Sequence, residues 1–134
     1  LSFYGLEKFT VYHGYMAHST ARIFQKFGRL LLLLEVNSKQ HRGIIPGKLF
    51  EYLASENPII AIGPQQWEAG SIIKETQAGN VFTYEDKKAI KSYIMDKFSD
   101  YFTGENSVKS TGIERYHRKA LTAKLSKIIH GTGN

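Results

Sequence analysis

Two short apolar segments constrain the fold of this chain more than any other feature. Residues 30–36 read Leu-Leu-Leu-Leu-Leu-Glu-Val, and residues 58–62 read Pro-Ile-Ile-Ala-Ile. Both are too short for an ordinary helix and are apolar on every face, which is typical of strands buried between two layers of helices. A glycine loop and a helical pattern separate them, and a strand–helix–strand unit of this kind joins parallel strands. The sequence therefore predicts a parallel sheet covered on both faces.

The rest of the chain continues the alternation of strands and helices. Residues 9–15 are rich in β-branched and aromatic side chains and predict a strand, and the next helix has its N-cap among residues 18–20. Pro46 favours the first position of a helix that runs to about Ser55. The remaining predictions are a helix at residues 67–76, a strand at 81–84, and helices at about 86–102 and 112–130. This order predicts an α/β fold, Rossmann-like, with three αβα layers and a mainly parallel sheet.

Composition narrows the class of protein. The chain has 134 residues, 42% of them hydrophobic, which suits one compact globular unit. No apolar run reaches the about 18 residues that a membrane helix needs, so we expect a soluble protein. The absence of cysteine excludes disulfides and thiolate metal sites. We also predict no metal site at the histidines, because none of them has ligand spacing, and we assign them to capping or surface positions. They are His13, His18, His41, His117 and His130.

The positive charge is concentrated at the C-terminal end. Residues 87–134 contain 10 Lys or Arg against 4 Asp or Glu and carry the whole net charge of +6, whereas residues 1–86 contain 8 of each sign. Two interpretations remain open: a solvated face of the helices, or a surface attracted to anionic lipid or to an acidic domain. Nucleic acid is not an expected partner, because the cations are not interleaved with stacking aromatic residues.

The start of the helix after residue 45 has the features of an anion site. A helix N-terminus carries partial positive charge and unpaired N–H groups, and Gly47 leaves the backbone open to a phosphate. Lys48 in this first turn opposes the helix dipole unless an anion shares the site. Glu51 is an acceptor that matches two donating ribose hydroxyls. The alternatives are that Lys48 pairs with Glu51 at i+3, that Gly47 is a turn residue, and that Glu51 is a surface residue.

Several segments together resemble a known family. Residues 46–55, Pro-Gly-Lys-Leu-Phe-Glu-Tyr-Leu-Ala-Ser, followed by residues 58–64, closely resemble the donor-binding domain of retaining glycosyltransferases of family 4, which have the GT-B fold. Further matches in the family's order cover nearly the whole chain. They are Val-Tyr-His-Gly-Tyr-Met at 11–16, Leu-Leu-Leu-Leu-Glu at 31–35, Ile-Ile-Lys-Glu-Thr-Gln-Ala-Gly at 72–79 and Arg-Tyr-His-Arg-Lys-Ala-Leu-Thr at 115–122.

The resemblance implies roles for particular residues. Glu51 would be the second glutamate of the family's Glu-x7-Glu motif and would bind the nucleotide ribose. The residues implied near the diphosphate or donor sugar are Gly43, Pro46, Gly47 and Lys48. Those implied to approach the base are Gly14, Tyr15 and Met16. The substrate would be a nucleotide-diphosphate sugar, with no cofactor and no metal, and diphosphate departure would be helped by the helix dipole and by cations.

The sequence also departs from the family's pattern. The first glutamate of the motif would fall at Gly43, so no catalytic residue is assigned, and Glu35 is the only substitute suggested. The family's Arg and Lys pair, two strands and the whole acceptor-binding N-terminal domain would precede this chain. We therefore expect residues 1–134 to be an incomplete donor-binding domain that is inactive alone. Its exposed sheet edges could support an oligomer.

The resulting hypothesis is the C-terminal part of a bacterial glycosyltransferase that builds a polysaccharide or glycolipid. We expect it in the cytoplasm, where it can lie peripherally at the inner face of the membrane. Two alternatives remain: a non-catalytic nucleotide-binding module of Rossmann-like fold, and a sugar-nucleotide epimerase of the same fold.

Overall fold

A computed structural model of the protein describes residues 2–104, 108 and 110–131. Its centre is a parallel sheet in the order β1–β2–β3, which confirms the predicted α/β class. The strands are β1, Leu31–Leu34; β2, Ile59–Ile62; and β3, Gly79–Phe82. The α-helices are α1, His18–Phe27; α2, Gly47–Ser55; α3, Glu68–Glu75; α4, Lys87–Thr103; and α5, Arg118–Ile129. Short 3-10 helices occur at Ser2–Tyr4, Glu7–Phe9, Lys39–His41 and Ile113–Tyr116.

The register of the sheet places Leu31 opposite Ile59 and Ile59 opposite Gly79. A side chain at Gly79 would place its Cβ 1.9 Å from the Ile59 carbonyl oxygen, so this position accommodates only glycine without a shift of the strands. Because α2 and α3 each connect two parallel neighbours, the carboxyl ends of all three strands lie at one edge of the sheet. Ligands of open α/β sheets bind at that edge.

The core lies on one face of the sheet. Alternate strand residues point to this face and pack against the buried sides of α2 and α3, and each such aliphatic side chain contributes about 1.5–3 kcal/mol by burial. The strands supply Leu31, Leu33, Ile59 and Ala61; the helices supply Leu49, Tyr52, Leu53, Ala69, Ile72 and Ile73. Trp67, immediately before α3, and Ala78, immediately before β3, complete the cluster.

The second face is covered unevenly. Tyr93 of α4 packs on Phe82 of β3, with ring centroids 5.6 Å apart, whereas Leu32 and Leu34 of β1 are 50% and 54% exposed. The prediction that this strand is apolar and buried on both faces is therefore wrong. The reason is its position: β1 is one of the two edge strands of the described sheet, and α4 packs against the other, β3.

The predicted N-terminal strand is also wrong. Glu7–Phe9 forms a 3-10 helix, and residues 10–17 are irregular. Tyr12 and Tyr15 are 92% and 103% exposed. β-Propensity reflects packing against neighbouring strands more than a backbone preference, and no neighbouring strand lies beside this segment in the described part of the chain.

Several element boundaries differ from the prediction. The N-cap of α1 is Ala17, which precedes the predicted residues 18–20. The helix expected at 112–130 is interrupted at His117, whose extended backbone (φ −64°, ψ 142°) separates a 3-10 turn from α5. The break turns Ile113 and Tyr116 back onto the core. Pro46 is the N-cap of α2 and precedes its first helical residue, and β3 begins two residues earlier than expected. No described helix has the length and apolarity that crossing a membrane requires.

Candidate functional site

A cavity of about 950 Å³ lies beside the outer side of α2, between α1 and the segment that leads into α5. Its lining combines apolar walls with charged groups. The apolar lining residues are Ile23, Phe27, Phe50, Tyr116 and Leu121, and the charged ones are Arg22, Lys26, Glu51 and Arg118. With three cations against one carboxylate, the cavity favours an anionic ligand.

Glu51 is held in this cavity by two contacts from α1. Its Oε1 lies 2.9 Å from Nε2 of His18, and its Oε2 accepts a hydrogen bond of 2.8 Å from Nε2 of Gln25. These contacts hold the pKa of the Glu51 carboxyl below its ordinary value of 4.5, the hydrogen bond from His18 contributing most. Because an ionised carboxylate only accepts, Nε2 of His18 carries the hydrogen. Glu51 is therefore a pre-oriented carboxylate with 32% of its side chain exposed.

The sequence of α2 explains why Glu51 faces outward. Leu49, Tyr52 and Leu53 follow a helical spacing of three and four residues and bury one side of the helix against the sheet. Glu51 falls between them on the other side. At the first position, Gly47 is exposed and lines the cavity, and a Cβ there would meet nothing within 4 Å. The α2 N-terminus thus opens toward the same space as the Glu51 carboxylate.

The predicted site residues are only partly brought together. Gly47 and Glu51 both line the cavity, whereas Gly43, Pro46 and Lys48 are outside its lining. Lys48 is exposed, and the alternative in which it pairs with Glu51 is wrong, because the described partners of Glu51 are both on α1. The lining also omits the residues implied for the base. Among these, Gly14 has a left-handed backbone (φ 65°), Tyr15 is exposed and Met16 is half-buried.

Glu35, the suggested substitute for the missing glutamate, occupies a second cluster at the carboxyl end of β1. Its Oε1 accepts hydrogen bonds from the Val36 N–H at 2.8 Å and from Nδ1 of His41 at 2.9 Å. The Val36 bond first, and the His41 bond second, lower the pKa of the Glu35 carboxyl. The Tyr84 hydroxyl donates to the Glu35 carbonyl at 2.9 Å. The cluster ties the loop after β1 to the sheet and lies outside the cavity lining.

The far end of the same loop is anchored on α3. The Trp67 Nε1–H donates to the Ile44 carbonyl at 2.8 Å, and the Glu68 N–H donates to the Arg42 carbonyl at 2.7 Å. Trp67 is 2% exposed, so its ring packs in the core and cannot stack on a base in this conformation. The loop that precedes α2 is thus fixed at both ends, and Gly43 lies exposed within it.

Sequence reasoning missed the residues that α1 contributes. His18, Arg22 and Gln25 recur at spacings of four and three, which places them along one side of the helix, and this spacing was the available signal. This spacing does not reveal that His18 contacts Glu51, because Glu51 lies 33 residues later in the chain. In the described part of the chain, no group of three or more His, Cys, Asp or Glu could hold a metal ion.

Comparison with known proteins finds no similar protein: no family model, curated protein or solved structure matches the chain. The resemblance to family 4 glycosyltransferases therefore rests on the sequence motifs alone.

Proposed function

We propose that the chain is the donor-binding part of a retaining glycosyltransferase that uses a nucleotide-diphosphate sugar. The observation that carries this proposal is the pre-oriented Glu51 carboxylate in a cavity that is otherwise cationic. A ribose diphosphate requires both an acceptor for its ribose hydroxyl groups and cations for its phosphates.

The ribose half of the proposal depends on the remaining capacity of Glu51. An ionised carboxylate offers about four lone-pair sites, and His18 and Gln25 occupy one on each oxygen. Two ribose hydroxyls can therefore donate to Glu51 while both contacts from α1 remain. The same contacts hold the carboxylate in place before the ligand arrives, which reduces the entropy lost on binding.

The diphosphate half depends on the charges around the cavity. Arg22, Lys26 and Arg118 line it, and so does Gly47 at the N-terminus of α2. These groups would hold the diphosphate and stabilise the charge that develops on it as the sugar departs. The rings of Phe50 and Tyr116, whose centroids are 6.2 Å apart, offer an apolar wall for a base. The resemblance assigns the base instead to residues 14–16.

A second candidate is a nucleotide-binding module without turnover. It is favoured by Gly43, which places no carboxylate where the family directs one toward the transferred sugar. The Glu35 carboxylate is engaged by His41 and lies outside the cavity lining. The glycosyltransferase proposal accordingly requires an acceptor domain and a sugar-facing group from elsewhere in the enzyme. A cytoplasmic enzyme acting on a polysaccharide or glycolipid acceptor remains part of this proposal.

Isothermal titration of the chain with UDP, GDP and the corresponding nucleosides tests the assignment. Glu51→Gln keeps the shape of the side chain and removes its charge. Hydrogen bonds to a charged group contribute about 1.5–3 kcal/mol, so we expect UDP or GDP affinity to fall about 10- to 100-fold. Asp96→Asn on the exposed side of α4 is the matched control and should bind like the wild type.

Two further comparisons separate the contribution of the ribose to binding affinity from that of the diphosphate. Arg22→Gln should weaken nucleotide binding and leave the much weaker nucleoside binding unchanged, because only the nucleotide carries phosphate charge. Added salt should likewise weaken nucleotide binding and leave nucleoside binding unchanged, because it screens the phosphate charge. Wild-type affinity of the Glu51→Gln variant for both nucleotides would refute the ribose assignment.

A further inference from the structure

Helix α5 exposes nearly all of its surface. Ala120 is half-buried, and every other residue of Arg118–Ile129 is exposed. Leu121, Leu125 and Ile128 are 45%, 56% and 65% exposed. At about 100° per residue, these three side chains fall within about 60° of one another and form an apolar stripe along the helix.

The charges of α5 are all of one sign. The helix contains four basic residues, Arg118, Lys119, Lys124 and Lys127, and no acidic residue. Lys124 borders the apolar stripe on one side and Arg118 on the other, each about 60° from Leu121 around the helix. A long cationic side chain in such a position can lay its methylene groups along the apolar stripe and extend its charge outward.

An exposed helix of this length is not expected to be stable unsupported. Isolated helices shorter than about 12–15 residues are marginal in water, and most helical stability comes from packing an apolar side. α5 spans 12 residues, and none of them belongs to the core cluster. A surface that covers this stripe must therefore accept aliphatic side chains and carry negative charge.

We propose that α5 lies on anionic lipid bilayers, with its apolar stripe at the level of the headgroups and Lys124, at the border of the stripe, over the lipid phosphates. Helices with this combination of features bind in the plane of the interface. A folded acidic protein fits less well, because protein interfaces are built around aromatic and arginine anchors. α5 contains no aromatic residue, and its one arginine, Arg118, lines the cavity. The stripe begins at the rim of the cavity, which Arg118 and Leu121 line. It continues beyond the proposed nucleotide site, because Lys124, Leu125 and Ile128 do not line the cavity.

Co-sedimentation of the chain with vesicles tests the proposal. One set of vesicles is phosphatidylcholine alone and the other mixes it with phosphatidylglycerol. We expect strong preference for the mixed vesicles. The variant Lys124→Gln, which removes the lysine at the border of the stripe, should bind them about fivefold more weakly. The double variant Leu125→Gln, Ile128→Gln should lose about tenfold, because the apolar contribution is removed.

The matched control is Lys91→Gln, which removes the same charge from an exposed position of α4 and should bind within about twofold of the wild type. Circular dichroism and UDP titration of each variant show that the fold and the nucleotide site are intact. Equal binding to both vesicle types, or to neither, would overturn the proposal, and the second result would favour an acidic protein partner. An equal loss in the α4 control would show adsorption by net charge and would also overturn it.

Discussion

Replacing Trp67 with phenylalanine tests how the loop before α2 is held. The change removes the hydrogen bond to the Ile44 carbonyl and part of a ring that is 2% exposed. A neutral hydrogen bond of this kind contributes about 1 kcal/mol, so its loss should cost about that much. The space left by the smaller ring adds about 1–3 kcal/mol. We therefore expect the free energy of unfolding to fall by about 2–4 kcal/mol.

The measurement is urea denaturation followed by circular dichroism. Fluorescence is unsuitable, because the chain contains one tryptophan and the variant has none. A loss of this size is a large part of the 5–15 kcal/mol that is typical of a domain and should lower the melting temperature by about 10 °C. A loss below about 0.5 kcal/mol would refute the idea that Trp67 anchors the loop.

Gly63→Ala provides an internal check on the same packing. A Cβ at Gly63 would lie 2.7 Å from Cε3 and 2.9 Å from Cζ3 of Trp67, both on the six-membered ring. We expect this substitution to cost about 1–3 kcal/mol in the wild type and clearly less in the Trp67→Phe variant, where the ring is smaller. The two changes should show a coupling energy of about 0.5 kcal/mol or more, and strict additivity would contradict the described contact.

Two further predictions concern the start of α2 and the pH dependence of stability at Glu35. Gly47→Ala should leave the free energy of unfolding unchanged or slightly higher, because the added Cβ meets nothing within 4 Å. The same Cβ should weaken UDP binding, because it keeps the diphosphate away from the α2 backbone. Unchanged UDP affinity in titration would contradict a close approach of the diphosphate to that backbone. The lowered pKa of Glu35 means that its stabilising contribution is present above its ordinary value of 4.5 and is lost as pH falls through the folded-state pKa. Urea denaturation from pH 6 to about pH 3 should therefore show a smaller loss of stability for Glu35→Gln than for the wild type, and identical profiles would contradict it.

The elements predicted correctly share one property: local pattern and packing agree. α2 has its buried residues at helical spacing, a proline before its first turn and an end at Ser55, all readable within ten residues of sequence. β2 was equally clear, because a central strand is buried on both faces and reads as a continuous apolar run. The segment at residues 9–15 has a comparable strand composition and no neighbouring strand, and it is irregular.

The candidate site shows the same contrast between residues that a local pattern predicts and residues that only tertiary packing brings together. Gly47 and Glu51 were singled out because a helix start and a carboxylate one turn later are local features. The partners of Glu51 were not, because His18 and Gln25 come from a helix 33 and 26 residues away. Likewise, Lys48 is the nearest cation in sequence, but its position on α2 leaves it exposed and outside the cavity.

The sequence by itself therefore determined the α/β class, the parallel sheet and the helix that carries Glu51, because hydrophobic periodicity and helix-start residues act over a few neighbouring positions. Only the tertiary structure decided which charges surround Glu51, which face of β1 is open and where the last helix breaks. These features depend on which segments pack together, and the distance in space between two such segments is not encoded in the spacing of residues along either one.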